Sequence, residues 1–312
     1  MTITQLRYAL AVAEHKNFTK AAKHIFVTQP TLSMQIHKLE EELGVEIFNR
    51  NKKPIVLTQV GHKIIEQARN IVNESSRIQD IVEQQKGYIG GEFKLAIIPT
   101  VMPTLLPMFL KNFINRYDKV NLKILELNTA DLLKKLKSGQ IDAAIAATPL
   151  ETENIIERPL YYEPFVGYIP SDHKLHSKPH LSPEDLDIDD ILLLEDGHCF
   201  KDNILNICKN RSSHLDLPYQ IESGSFETLI KLSEEGLGMT LLPYLNTLEL
   251  SEKQKQNLRY FKNPKPAREI SLLYHKSELK LQIIKALQET ISGVIRGAIA
   301  FQDVEIISPK AN

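Results

Sequence analysis

The chain has 312 residues, 42% of them hydrophobic and 25% charged, with a net charge of −1. That is long for one domain, natural for two, and rich enough in apolar material for a core. No stretch approaches the roughly 18 apolar residues of a membrane span, and the apolar run after Arg7 is too short for a secretion signal. A cytoplasmic protein is therefore expected, with no membrane partner and no structural disulfide.

The charge is unevenly spread. Residues 1–63 carry nine basic side chains (Arg7, Lys16, Lys20, Lys23, Lys38, Arg50, Lys52, Lys53, Lys63) against five glutamates, a head of net +4 on a body of net −5. This distribution points to a polyanion partner for the head alone; chance variation of the surface is the alternative.

In chain order, Leu6, Leu10 and Ala13 keep helical spacing, and Thr19 to His24 predicts a second short helix containing Ala21 and Ala22. A third helix is expected from Thr28, with Pro30 tolerated in its first turn, to Leu43, where Gly44 stops it. At 100° per residue, Ile36, Leu39 and Leu43 lie within about 40° of Leu32 and form the face to be buried. Pro30, Met34, His37 and Lys38 fall opposite, with Thr31, Ser33 and Gln35 at the flanks. "EIFNR" and "PIVLT" flank a basic turn, Asn51-Lys52-Lys53, as a β-wing would. Short helix, turn and longer helix make a helix-turn-helix candidate whose polar face suits base edges, with Arg50, Lys52 and Lys53 meeting phosphates. A helical cap with a solvated face is the competing reading.

Thr58 can cap a long helix lasting to Gly87. Its line Ile64, Ala68, Ile71, Ser75, Ile78, Val82 is heptad-like, as in a dimerising linker, although packing against its own domain would need the same residues. "GYIGG" at 87–91 marks the domain boundary. Beyond it "FKLAIIP", "LLPMFLKNFINRY", "NLKILEL", "TADLLKKLKSG" and "DAAIAA" alternate strand and helix. "PFVGYIP", "DILLLED", "ETLIKLSEEGLGMTLLP" and "EISLLYH" continue the pattern to a last helix from about Leu279 to Gly297. The expected fold class is α/β, with a largely parallel sheet or two such sheets and a head rich in helix.

In such lobes ligands sit beyond the carboxyl ends of strands. Thr100 and Thr129 qualify by position, although plain helix capping would explain either. The two cysteines, Cys199 and Cys208, lie in "LEDGHCFKDNILNIC", read as buried strand, turn at Gly197, then helix. Nine positions on a helix separate them by about 13.5 Å along the axis and put them on opposite faces, whereas a disulfide needs Cα atoms within roughly 7 Å. Helix and disulfide would exclude one another, making a bistable element. Cys199 near a helix N-terminus, beside His198 and close to Lys201, has features that lower a thiol pKa; Asp202 opposes them, caps the helix or orients a partner. Cys208 is suited to resolve a sulfenic acid. Inert buried cysteines and a Cys-His enzyme are alternatives. A metal site is disfavoured for want of a fourth ligand and the usual spacing, and no cofactor is expected.

"NFTKAAKHIFVTQPTLSMQIHKLEEELGVEIFNR", followed by Leu-Thr-x-x-Gly, closely resembles the winged helix-turn-helix of LysR-type transcriptional regulators. The resemblance implies a DNA-binding domain over 1–57, with Gln29, Pro30, Thr31, Ser33 and Gln35 near the bases. Met34 stands where arginine or glutamine is common. It also implies a dimerising linker over 58–87 and a two-lobed, periplasmic-binding-protein-like domain over 91–312. Lobe I would span about 91–163 and 268–300, and lobe II about 164–267. "LLLEDGHCFKDNILNIC", with "IPT" at 98–100, Thr129, "ETL" and "GLGMTLLP" within 227–243, and Arg268 before the last strand, is similar to the peroxide-sensing activators of that family. What this implies is a cytoplasmic, nucleoid-associated regulator and no enzyme. Cys199 would react with hydrogen peroxide and pair with Cys208, with Thr100 and Thr129 holding peroxide and His198, Asp202 and Arg268 as neighbours. Implied partners are promoter DNA, RNA polymerase, further copies in a dimer or tetramer, and a glutaredoxin- or thioredoxin-type reductant. A regulator that binds a metabolite in the cleft, and a thiol peroxidase with a basic accessory domain, remain the alternatives.

Overall fold

The computed structural model describes residues 1–85, 89–195, 199–208, 223–299 and 304–309, without the side chains of 76, 77, 79–85 and 199. The chain divides into two compact units, one of residues 1–88 with 138–140 and one holding the remainder. No described helix is long and apolar enough to cross a membrane.

The first unit begins with α1 (Ile3–His15), α2 (Phe18–His24) and α3 (Gln29–Leu43). Their starts are capped by side chains of Thr2, Asn17 and Thr28, which accept from the amides of Gln5, Lys20 and Thr31. α3 ends at Gly44, in the left-handed region at φ 68° that favours glycine. Ala21 and Ala22 are buried, and small side chains there let α2 pack closely beside Leu32, Ile36 and Leu39. Leu43 departs from expectation: it lies outside this cluster, 37% exposed, while Glu40 is buried in its stead. The wing is the antiparallel pair β1 (Phe48–Asn49) and β2 (Val56–Leu57).

α4 (Gln59–Gln85) starts where the Thr58 hydroxyl accepts the Gly61 amide. Its first half serves the core of its own unit, with Ile65 and Ala68 buried and Ile64 and Ile71 packed alongside. Further on Ile78 is 65% exposed. Packing against its own unit therefore accounts for the first half of the apolar line; the side chain of Val82 and the end at Gly87 lie outside the described residues.

The second unit comprises β3 (Gly91–Ile97), α5 (Met102–Arg116), β4 (Val120–Glu126), α6 (Thr129–Lys137), β5 (Ala143–Thr148), β6 (Ile155–Tyr168), β7 (His180–Leu181), α7 (Cys199–Ile207), α8 (Phe226–Glu234), β8 (Thr240–Pro243), α9 (Tyr244–Thr247), α10 (Glu252–Lys255), β9 (Leu258–Phe261), β10 (Lys265–His275), α11 (Leu281–Ile295) and β11 (Val304–Ile306). Strands run β4-β3-β5-β10-β6-β9-β7, with β11 beside β10 and β8 beside β6. Two separate hydrophobic cores define two lobes. β3 pairs in parallel with β4 and β5, as βαβ connections require, but β10 is antiparallel to both β5 and β6, and β6 is antiparallel to β8. The sheet is therefore mixed rather than largely parallel. The reason is that β6, 14 residues long, supplies residues to both cores, and β10 runs antiparallel between β5 and the first part of β6.

Two strand readings need correction. "PFVGYIP" is only the end of β6, which starts at Ile155. Of "DILLLED", residues 190–195 form no strand and Asp196 lies outside the described residues: Ile191 makes one isolated bridge to Met239, and Leu192 donates its amide to the Met239 carbonyl at 2.8 Å. Ile191, Leu192 and Leu194 are buried in the lobe II core, the segment running beside Met239 just before β8, where Gly238 at φ 134° would put any Cβ 2.7 Å from the Asp190 carbonyl oxygen.

Candidate functional site

In the head, the outward face of α3 presents Gln29, Pro30, Thr31, Met34, His37 and Lys38, all exposed, with Ser33 and Gln35 half-buried. Gln35 is engaged, its amide oxygen accepting from Nε2 of buried Gln5 at 3.3 Å. Lys52 and Lys53 are exposed at the tip of the wing. Arg50 is differently placed: its Nη2 donates to Glu40 Oε2 at 2.5 Å and its guanidinium lies 5.4 Å from the Phe18 ring centre. Oε1 of Glu40 accepts the amides of Ile47 and Phe48 at 2.9 and 3.2 Å. Arg50 thus braces the wing against α3, and the basic side chains left unengaged at the wing tip are the two lysines.

In the second unit a deeply buried charged cluster joins residues distant in sequence. Arg268 and Glu163 are each 1% exposed. Arg268 donates from Nε and Nη2 to Glu163 Oε2 at 3.0 and 2.7 Å, from Nη1 to Thr100 Oγ1 at 2.9 Å, and from Nη2 to the Thr100 carbonyl at 3.0 Å. Glu163 Oε1 accepts the Leu245 amide at 3.0 Å. Burying two charges demands such complete pairing, since a lone buried charge is very costly. Tyr161, two residues before Glu163 on the same strand face, is buried, its hydroxyl without a partner among the described residues, and burial followed by the Glu163 charge pushes its pKa well up. Because the Thr100 hydroxyl accepts from Arg268, its own proton remains available to donate.

The structure places Arg268 within β10, whereas the sequence reading has it before the strand. The helix-capping reading fails for both threonines. Thr100 is held by Arg268, and at α6 it is Asn128 whose Oδ1 accepts the Asp131 amide at 2.9 Å, with Thr129 half-buried as the first helical residue.

The guanidinium of Arg268 also lies 5.2 Å from the ring centre of Phe200, the second residue of α7. That ring is fully buried, 5.3 Å from Phe165 and 4.9 Å from Phe226. α7 begins at Cys199, and the Cys208 amide still donates to the Ile204 carbonyl at 3.0 Å, so the helical pattern reaches the second cysteine. Cys208 is 4% exposed. Burial, then the charge of Asp187, pushes its thiol up to about 11. It is a protonated, shielded thiol as long as the helix stands. Asp202 lies in the first turn, where an anion favours the helix dipole. The side chain of Cys199, and His198 and Gly197, lie outside the described residues. Among the described residues no group of three His, Cys, Asp or Glu could hold a metal ion.

Residues 3–62 match the bacterial regulatory helix-turn-helix model of the lysR family, and residues 86–294 match the LysR substrate binding domain. The chain belongs to the LysR family. It is a LysR-type transcriptional regulator, and its relatives can be named more closely. It is 35% identical over 95% of its length to a hydrogen peroxide-inducible genes activator of Pectobacterium carotovorum, covering 98% of that protein. It is 34% identical over 88% of its length to the DNA-binding transcriptional dual regulator OxyR of Escherichia coli, covering 89% of that chain. Among solved structures, a full-length OxyR variant from Pseudomonas aeruginosa superposes with a TM-score of 0.76 at 32% identity, covering 94% of this chain and 98% of that one. A hydrogen-peroxide-bound OxyR mutant of Corynebacterium glutamicum gives 0.58 at 29% identity, with 96% and 97% covered.

Two residues of this LysR-family chain escape a reading by motif, Glu40 and Glu163. Each carries a signal in retrospect. Glu40 sits at the margin of the apolar face of α3, and Glu163 alternates with Tyr161 and Phe165 on one face of β6, a period-2 position where a carboxylate must find a partner.

Proposed function

We propose that this regulator senses hydrogen peroxide through Cys199 and Cys208. The thiolate of Cys199 attacks one peroxide oxygen, the O–O bond breaks, and hydroxide leaves as water after protonation, giving a sulfenic acid. The Cys208 thiol then attacks that sulfur, an S–S bond forms and a second water departs. Two thiols and one peroxide become one disulfide and two waters, and a glutaredoxin- or thioredoxin-type dithiol restores the reduced state. Thr100, with a hydroxyl proton to donate, and Arg268 are suited to polarise peroxide, with Thr129, His198 and Asp202 as neighbours. The observation that carries the reading is that the two cysteines bracket a single helix, α7, which cannot stand while they are joined. The relatives named as peroxide-inducible activators support the choice of signal.

Unwinding of α7 repacks lobe II and changes the spacing of DNA heads in a dimer or tetramer joined through α4, so that promoter DNA and RNA polymerase are engaged differently. Gln29, Pro30, Thr31, Ser33, Met34 and Gln35 meet the bases, and Lys38, Lys52 and Lys53 the phosphates, with Arg50 fixing the wing. The test is stoichiometric peroxide treatment of the reduced protein with thiol counting and peptide mass mapping. One equivalent should consume both thiols in a 199–208 link; two free thiols surviving excess peroxide would end the proposal.

A further inference from the structure

The described residues nearest the end of the chain lie against the helix that carries the cysteines. β11 pairs in parallel with Lys265–Ala267 at the start of β10, and the Ile307 amide extends the pairing by donating to the Ala267 carbonyl at 2.8 Å. The segment then passes α7. Asn203 Nδ2 donates to the Ile307 carbonyl at 2.8 Å, and Asn206 Nδ2 donates to the Ser308 carbonyl at 2.9 Å. Asparagines three apart share one helix face, and they meet consecutive carbonyls of an extended chain. Ile307 packs against the core of lobe II, and Pro309 is buried.

Asn203 is 0% exposed, and its amide oxygen has no partner among the described residues. A buried oxygen left unpaired costs free energy. An apolar side chain would suit that position in the core, yet only a donor can hold the Ile307 carbonyl.

We propose that residues 304–309 act as a strand latch on α7, holding the helix between the two cysteines folded and releasing when 199–208 unwinds. This rests on the reading that Cys199 and Cys208 form a disulfide. The latch is read through its backbone, so its contacts need the two asparagines on one helical face and vanish when that face is lost. A segment that binds the helical, reduced state and not the unwound, oxidised one draws the equilibrium toward the reduced state by its differential affinity. It thereby raises the peroxide exposure required to throw the switch.

The test compares the full chain, a chain ending at Asp303, and Asn206→Ala, each with and without a synthetic peptide of residues 304–312. Hydrogen exchange of the reduced proteins is read at amides 203–208, and the thiol–disulfide equilibrium is read against glutathione. Truncation should speed exchange in α7 and favour the disulfide by about tenfold, on the order of 30 mV more negative for a two-electron couple. Asn206→Ala should give a smaller shift in the same sense, and saturating peptide should restore the truncated chain. Unchanged exchange and equilibrium on truncation would overturn the latch while leaving the sensing reading intact, provided the disulfide forms in both chains. Faster exchange spread evenly over α8 and β8 would mark general loosening and would likewise overturn it. Failure of the full chain to form any 199–208 disulfide would remove the sensing reading and the latch together.

Discussion

The same three-part clamp occurs twice in this protein, once in each compact unit. In the head, Glu40 binds Arg50, caps two backbone amides, and Arg50 lies over Phe18. In the body, Glu163 binds Arg268, caps one amide, and Arg268 lies over Phe200. What differs is water. The Arg50 side chain is 40% exposed, whereas both charges of the second pair are 1% exposed. An ion pair open to solvent has little net worth, while an enclosed one becomes a liability as soon as either partner is removed. The chemistry is shared, and burial decides whether the clamp trims the edge of a small domain or governs the core of a large one.

The largest effect should follow from opening the enclosed clamp. Glu163→Ala strands Arg268 and should cost the regulatory unit about 3–5 kcal/mol in denaturant unfolding. Replacing both partners by apolar residues of similar volume should recover most of that loss. A cost near that of a surface pair would mean that water reaches Arg268 and the contrast in burial is wrong. Glu40→Ala should cost less, about 1–3 kcal/mol, because its main consequence is two unpaired amides at Ile47 and Phe48. Thermal melting of the head checks this, and a loss as large as that of Glu163→Ala would erase the distinction.

A finer test asks what Arg50 has left for DNA. Each of Lys52→Ala and Lys53→Ala should lower the slope of log affinity against log salt by about 0.9, the value of one phosphate contact. Arg50→Ala should lower it by less, because Glu40 already holds that charge. Equal slopes would show the head clamp to be open when DNA is bound.

The smallest effect at neutral pH concerns Cys208, where burial acts on a thiol instead of an ion pair. A thiol held at about 11 in the folded chain, against about 8.5 when unfolded, contributes stability that is fully present below the unfolded value. That stability is lost as pH rises through the folded one. Thiolate absorbance of a Cys199→Ser variant should therefore titrate near 11, with loosening of α7 only in that alkaline range. A midpoint near 8.5 would mean that the helix end is open.

Much of this is legible in the chain alone. Thr28, Pro30 and Gly44 bound α3, and Leu32, Ile36 and Leu39 define its buried face, because capping and helical period are local rules. Leu43 keeps the same period yet lies outside the core, because the last turn of a helix can run past the core it serves. "DILLLED" misleads because an apolar run reports burial without reporting a ladder partner; Ile191, Leu192 and Leu194 pack into the lobe II core with one bridge, to Met239. The clamp of the second unit escapes the sequence for a different reason, since Glu163 and Arg268 are 105 residues apart and no local pattern connects them.

By itself, the sequence determined the polar face of α3, the family to which the chain belongs, and the incompatibility of one helix with a bond between residues 199 and 208. These depend on periodicity, spacing and motif, all of which are properties of short stretches of chain. Only the tertiary structure decided that Thr100 binds an arginine instead of capping a helix, that Arg50 braces the wing, and that residues 304–309 lie on the asparagines of α7. Those outcomes turn on which polar groups lose water together. That depends on the packing of distant segments, where an unpaired donor or charge is too costly to leave.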